Sequence, residues 1–402
     1  LYSGSEFNCV AEDLSEPILY SRIVWLITDW ASGGDSFLRA IIVECKLPRN
    51  ASRVEEVSMM AENIGYKIVR TLVQKRNSVH HGHCIGVGKL EELKDLVQKE
   101  LVDIVIFTNT LPSSQVFKIQ RRIGDVKVID RNLLILGVFD KRAMTKEAKL
   151  QIELARLRYT FSWGREFIKL KGILGEQVGW SGPGDYPFKE YEREARRRIS
   201  RLRMSLRDVQ AKKTILRERR RELGYPTVAL AGYTQSGKTT FFNRLTAESK
   251  ETGLGPFTTL SSHSRLMRLN GSEFMLVDSI GFIEDMHPMI IDAFFVTLDE
   301  ITNADLILLF IDISEPIEAM QRRILSIDAI ARRIEIPTKV IVCANKLDLV
   351  DDKQKKKALE VLNQMLPGQR TLLLSAKTGE NVDKVIDLAM TELGIIVPSV
   401  TP

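Results

Sequence analysis

Tyr225-Pro226-Thr227-Val228-Ala229-Leu230-Ala231 runs directly into Gly232-Tyr233-Thr234-Gln235-Ser236-Gly237-Lys238-Thr239, and a helical pattern from Thr240 to Leu245 follows. An apolar strand that delivers a glycine-containing loop into a helix is a phosphate-binding arrangement. The loop's backbone N–H groups wrap a polyphosphate, and the positive helix N-terminus faces the same oxygens. Gly232 and Gly237 permit the tight turn because they carry no Cβ. Lys238 supplies a mobile cation for the β- and γ-phosphates, and the Thr239 hydroxyl is placed to ligate Mg²⁺. The stretch 232–240 therefore predicts a nucleoside triphosphate site on an α/β fold.

Four further stretches extend the site, and the first two address which nucleotide. Asn345-Lys346-Leu347-Asp348 follows the apolar run 339–344 and reads as a loop at a strand's end. The Asp348 carboxylate can accept from the N1–H and the exocyclic amine of guanine. Adenine offers an acceptor and no amine at those places, so against ATP the carboxylate stays unpaired, and that penalty discriminates strongly. Lys346 can lay its aliphatic stem over the base. Ser375-Ala376-Lys377, after the apolar run 371–374, resembles a second guanine loop whose backbone N–H meets the base oxygen. Asp278-Ser279-Ile280-Gly281 ends another apolar run, giving a carboxylate for Mg²⁺ and a glycine N–H for the γ-phosphate. Phe257-Thr258-Thr259-Leu260 has the form of an effector loop, with Thr259 as the Mg²⁺ and γ-phosphate sensor.

Alone, Asn-Lys-x-Asp is a common turn and Asp-x-x-Gly says little. Together the order Lys238, Thr259, Asp278, Asp348, Ala376 is that of a translation-factor-like GTPase. The expected site comprises residues 232–240, Asp278, Gly281, Asn345, Lys346, Asp348 and 375–377. Within it Lys238, Thr259 and Gly281 serve catalysis, while Thr239, Thr259 and Asp278 hold the metal. Phe282 occupies the position where a water-orienting glutamine often sits, and a phenyl ring cannot hydrogen-bond a nucleophilic water. Two readings of Phe282 are compatible: switch core, and a slow intrinsic hydrolysis that a partner raises.

With 402 residues, 44% hydrophobic and 27% charged, the chain has room for two or three soluble units. It has no apolar run long enough to span a bilayer. Cys9, Cys45, Cys84 and Cys343 are scattered, which fits a reducing, cytoplasmic setting better than a disulfide scaffold. The net charge of +6 is concentrated. Residues 186–222 carry 14 Lys/Arg against 6 Asp/Glu, so the rest of the chain is slightly acidic. Arg196-Arg197-Arg198, with Arg201, Arg203 and Arg207, point to a polyanion partner.

Working outward, 1–37 stays unassigned, and Gly4-Ser5-Glu6-Phe7 resembles a cloning scar. Across 38–143, strands at 39–45, 66–74, 103–108 and 126–130 alternate with helices at 54–64, 89–99 and 113–123. That alternation predicts a small, mostly parallel α/β domain. His80-His81-Gly82-His83-Cys84 raises a metal reading, but neighbouring strand side chains point to opposite faces, and a surface loop is preferred. Over 144–224 two amphipathic helices are expected, at 145–163 and 188–223, joined by a glycine-rich loop at 164–189. The second shows a heptad seam through Tyr191, Ala195, Ile199, Leu202, Leu206, Val209 and Leu216, which predicts an antiparallel coiled-coil hairpin with arginines on its free faces. The GTPase domain takes 225–395, with helices on both faces of its sheet, and 396–402 is a tail. The hairpin seam can be satisfied within one chain, so a monomer is expected.

Several stretches outside the nucleotide motifs carry a more specific resemblance. These are 130–136 (Asp-Arg-Asn-Leu-Leu-Ile-Leu), 141–155 from Lys141-Arg142-Ala143-Met144, Gly182-Pro183-Gly184 ahead of the arginine helix, 278–283, and Ala293-Phe294 with Thr297-Leu298-Asp299-Glu300. From Leu38 onward the chain resembles the HflX family of ribosome-associated GTPases. Its phosphate loop reads Tyr-Thr-Gln-Ser-Gly-Lys-Thr-Thr where members more often have Tyr-Thr-Asn-Ala-Gly-Lys-Ser-Thr, and both keep the lysine and the hydroxyl. The resemblance implies a GTPase that binds the large ribosomal subunit and its rRNA, and in bacterial members separates stalled ribosomes under stress. Two rival readings are a nucleotide-gated anti-association protein with incidental hydrolysis, and a GTPase that assists tRNA modification.

Overall fold

In the computed structural model the described residues are 38–48, 51–124, 126–143, 145–173, 185–222, 225–246, 263–269, 272–279, 281–282, 287, 290, 299–334 and 339–395. Thr259 with its effector loop, Ile280, residues 291–298, the Gly182-Pro183-Gly184 motif and both ends of the chain lie outside them.

The first sheet is four-stranded and parallel, with β1 (Leu38–Lys46), β2 (Tyr66–Lys75), β3 (Ile104–Phe107) and β4 (Lys127–Asp130) in the order β2-β1-β3-β4. Central β1 is apolar on both faces, as a strand covered by helices on either side must be. Ala40 and Ile42 enter one core while Ile41 and Val43 enter the other, the period-2 alternation of a strand. Helices α1 (Val54–Asn63), α2 (Val87–Lys99) and α3 (Ser113–Ile123) cover these faces. A further helix, α4 (Arg131–Arg142), has no polar stripe: Leu133, Leu134, Ile135, Leu136, Val138 and Phe139 are all buried. Helical periodicity cannot reveal such an element. It is fixed at its start by Asp130, whose carboxylate accepts from Leu133 N at 3.0 Å, Leu111 N at 3.1 Å and the Tyr159 hydroxyl at 2.6 Å.

Two long helices follow, α5 (Lys146–Ile173) and α6 (Asp185–Glu222). Glu153 meets Arg198, and Phe161 stacks on Tyr191, so the pairing runs backwards along the chain and the hairpin is antiparallel. Its seam joins Leu154 and Leu157 to Ala195, Leu202 and Leu206. Here the structure corrects an expectation: α5 continues through Gly164 to residue 173 and α6 begins at residue 185. Glycine usually marks a helix end, yet at position 164 it is demanded by packing. A Cβ there would lie 2.3 Å from the Tyr191 ring.

The second sheet has six strands, β5 (Thr227–Gly232), β6 (His263–Leu269), β7 (Ser272–Asp278), β8 (Leu306–Asp312), β9 (Lys339–Asn345) and β10 (Arg370–Leu373). Their order is β10-β9-β8-β5-β7-β6, all parallel except the β6–β7 pair. Helices α7 (Lys238–Thr246), α8 (Ile317–Ile334), α9 (Asp352–Met365) and α10 (Val382–Glu392) complete it, with a buried cluster on each face. Ile290, which follows the Asp278–Gly281 motif, is fully buried in the core of the first sheet, and His287 packs edge-on against Tyr159. Among the described residues no helix is long and apolar enough to cross a membrane.

Candidate nucleotide-binding site

The carboxyl ends of β5, β7, β8 and β9 converge beside the α7 N-terminus, where ligands bind in open parallel sheets. Residues 232–237 form the loop between β5 and α7. Gly232 has φ 137°, and a Cβ on it would sit 2.3 Å from the Phe310 carbonyl oxygen. Gly237 has φ 97°, and its Cβ would strike Asn345 Nδ2 at 2.1 Å. Between them Gln235 adopts a left-handed φ of 65°, which turns successive N–H groups inward. Thr234 and Thr240 are half-buried at the two ends of this loop, and Ser236 is fully buried.

Lys238 folds back over the loop and donates to the carbonyl oxygens of Gly232 (3.0 Å) and Tyr233 (2.7 Å). Burial lowers its pKa to about 8, partly opposed by the nearby Asp278 carboxylate. Thr239 Oγ1 donates to Asp278 Oδ2 at 3.0 Å, and both residues are buried. A hydroxyl and a carboxylate together form a hard-oxygen donor pair that suits Mg²⁺. Ser279 Oγ donates to the Leu230 carbonyl at 2.5 Å and ties the end of β7 to β5.

The loops at 345–348 and 375–377 are bound to the 232–237 loop through one residue. Asn345 Nδ2 donates to the Ser236 carbonyl (2.7 Å), while its Oδ1 accepts from Ala376 N (2.9 Å). Asp348 is exposed, and its Oδ1 accepts from Ser375 Oγ at 2.5 Å. Ser375 Oγ in turn accepts from Thr378 N at 3.1 Å. These bonds hold Asn345, Asp348 and the 375–378 turn in one cluster beside the 232–237 loop. The structure thus brings 232–240, Asp278, Gly281, Asn345, Lys346, Asp348 and 375–377 together.

Gly281 lies over Lys238. A Cβ on it would come within 2.7 Å of Thr234 N and 2.9 Å of Lys238 Nζ. Phe282 N donates to the Gly232 carbonyl and Thr234 N donates to the Phe282 carbonyl, each at 3.0 Å. Its ring is buried against Tyr233, edge to face. Packing thus turns this side chain into the core.

Other contacts escaped the motif reading. Arg244 on α7 donates to the carbonyls of Ala376 (2.9 Å) and Lys377 (2.5 Å). Arg323, paired with Glu315, places its guanidinium 5.3 Å from the Tyr233 ring centroid. Asp312 pairs with Lys346. Each joins residues far apart in sequence, so no spacing could signal it. The imidazoles of His80, His81 and His83 stack, and among the described residues no group of three His, Cys, Asp or Glu could hold a metal.

Three family models match in succession: "GTP-binding GTPase N-terminal" over residues 51–140, "GTP-binding GTPase Middle Region" over 142–220 and "50S ribosome-binding GTPase" over 227–346. Among relatives, the GTPase HflX of Hyperthermus butylicus is 37% identical, over 85% of this chain and 92% of its own. That of Thermococcus kodakarensis is 36% identical, over 81% and 73%. The crystal structure of the SsGBP–GDP complex superposes with a TM-score of 0.52 at 26% identity, covering 88% of this chain and 99% of that one.

Proposed function

Because this chain belongs to the HflX family of GTPases, we propose that it is a Mg²⁺-dependent GTP switch docking on the large ribosomal subunit through α6. GTP binding and hydrolysis come with the family. The observation that supports the residue assignments is the Asn345 bridge, which ties the phosphate loop at Ser236 to the guanine loop at Ala376.

In this reading the N–H groups of 233–239 and the Lys238 ammonium hold the phosphates. Lys238 leaves the Gly232 and Tyr233 carbonyls to do so and offsets the charge that develops during in-line attack by water. Thr239 and Asp278 would hold Mg²⁺, which supplies further neutralisation of the phosphate oxygens. Thr259, outside the described residues, is assigned to the same metal. Gly281 N–H serves the γ-phosphate once the segment lifts from the loop. With Phe282 buried against Tyr233, no side chain at that position orients the water, so intrinsic turnover is slow and a partner accelerates it.

The partner is assigned from charge. Arg197, Arg203 and Arg207 are exposed on α6, and Lys189, Arg193, Arg196 and Arg197 line a surface depression there. Arg198 instead bonds Glu153 across the hairpin, at 2.6 and 2.8 Å, and Arg196 and Arg201 pair with Glu192 and Glu194 on their own helix. Arg197, Arg203 and Arg207 are therefore the rRNA-facing set, and Arg198 holds the hairpin together. Co-sedimentation of the full chain with purified large subunits, against a tRNA mobility shift at matched salt, tests the assignment. Pelleting with subunits that rises with a non-hydrolysable GTP analogue is expected. A preference for tRNA would move the assignment to tRNA, and separation of stalled ribosomes belongs to the same proposal only if pelleting is seen.

A further inference from the structure

Asp312 ends β8 directly opposite Asn345 in the β8–β9 register, so parallel pairing sets it beside the guanine loop. It is only 7% exposed, and its two oxygens have separate duties. Oδ1 accepts from Ser314 N (2.9 Å) and Ser314 Oγ (2.6 Å), which fixes the carboxylate plane. Oδ2 contacts Lys346 Nζ at 2.5 Å. Lys346 itself stands in the left-handed region, at φ 70° and ψ 38°, held by Leu349 N on its own carbonyl and by Leu347 N on the Leu374 carbonyl. Both ends of this lysine are therefore pinned, the backbone by the loop and the ammonium by Asp312.

We propose that Asp312 is a positioning residue for guanine nucleotides, acting through Lys346; this rests on the guanine site described above. Two physical consequences follow from the pairing. A lysine stem has four rotatable bonds, and anchoring its ammonium fixes the path of the methylenes that cover the base plane before a ligand arrives. The same anchor keeps the ammonium away from Asp348, two residues along the loop. An unanchored Lys346 would be drawn to that carboxylate and compete with the base for it. Ser375 Oγ orients Asp348 from the other side, so the two carboxylates are kept to distinct tasks: one reads the base, the other holds the lysine.

The test uses the full chain and three probes: fluorescent mant-GDP, unlabelled IDP as competitor, and inorganic pyrophosphate as competitor. Asp312→Asn is expected to weaken mant-GDP about tenfold and IDP by the same factor, since the stem covers either base and the amine is read by Asp348. Pyrophosphate affinity should not change, because the phosphate loop does not depend on Asp312. A general loss of structure would weaken all three. Lys346→Ala should show the same profile, and adding Asp312→Asn to it should cost nothing more. Asp312→Glu should recover part of the loss. Unchanged mant-GDP binding in Asp312→Asn, losses that multiply in the double variant, or an equal loss of pyrophosphate binding would each overturn the proposal. A wild-type chain that binds pyrophosphate but not mant-GDP would overturn the guanine site as well.

Discussion

Lys238 carries a buried ammonium that donates to two neutral carbonyls, those of Gly232 and Tyr233. Burial leaves its pKa at about 8. Phosphate oxygens favour the charged form, so the bound pKa is higher than the free one. Below pH 8 the lysine is charged in both states and affinity is flat. Above it the free enzyme has lost a proton that binding must recover. GDP affinity is thus expected to fall by about tenfold per pH unit above 8 until the bound pKa is reached. Mant-GDP titrations from pH 6.5 to 9.5 measure this, and a level profile would remove the linkage. Lys238→Ala should abolish binding or turnover. Asp348→Asn should shift the preference away from GTP, because the amide presents a donor where guanine also donates; unchanged GTP/ATP selectivity would count against the assignment. These residues were legible in sequence because a phosphate loop and an Asn-Lys-x-Asp loop are local devices. Asp312, Arg244 and Arg323 were not, since only the parallel pairing of strands and the docking of helices bring them to the site.

Among the elements, the hairpin holds the clearest test. Gly164 faces Tyr191, itself boxed in by Phe161 at 5.9 Å between ring centroids. Gly→Ala inside a helix ordinarily gains about 1 kcal/mol. Here the new methyl meets a buried ring, and overpacking of that kind costs about 1–3 kcal/mol. Gly164→Ala is expected to lower stability in urea denaturation of the full chain, and in a Tyr191→Leu background the same change should become neutral or favourable. Loss of the effect's dependence on Tyr191 would contradict the packing argument. The heptad seam announced both helices, since one apolar stripe must find one partner. Helix α5 outruns the reach its periodicity predicts, because Gly164 serves as a groove for Tyr191 where glycine usually ends a helix. Helix α4 was invisible for the opposite reason: apolar on every side, it has no period to detect. The strands of both sheets were readable as short apolar runs bounded by turn residues.

Across the whole molecule, charge and contact divide the work. The basic surplus sits in α6, while the segment beyond Gly281 reaches the first sheet through Ile290 and His287. If the exposed arginines meet phosphates, association with large subunits must fall steeply with salt, because each contact releases a counterion. Raising salt from 50 to 200 mM should weaken pelleting by about tenfold or more. Arg197→Glu with Arg203→Glu should weaken it at low salt and flatten the salt dependence, leaving mant-GDP affinity intact. Domain arrangement gave the sequence little purchase, since the residues that bridge the two sheets carry no motif. The most direct measurement is steady-state GTP turnover by the full chain with Mg²⁺, with and without purified large ribosomal subunits. Turnover that is slow alone and rises at least tenfold with subunits is the expected result; a rate indifferent to subunits would contradict the account.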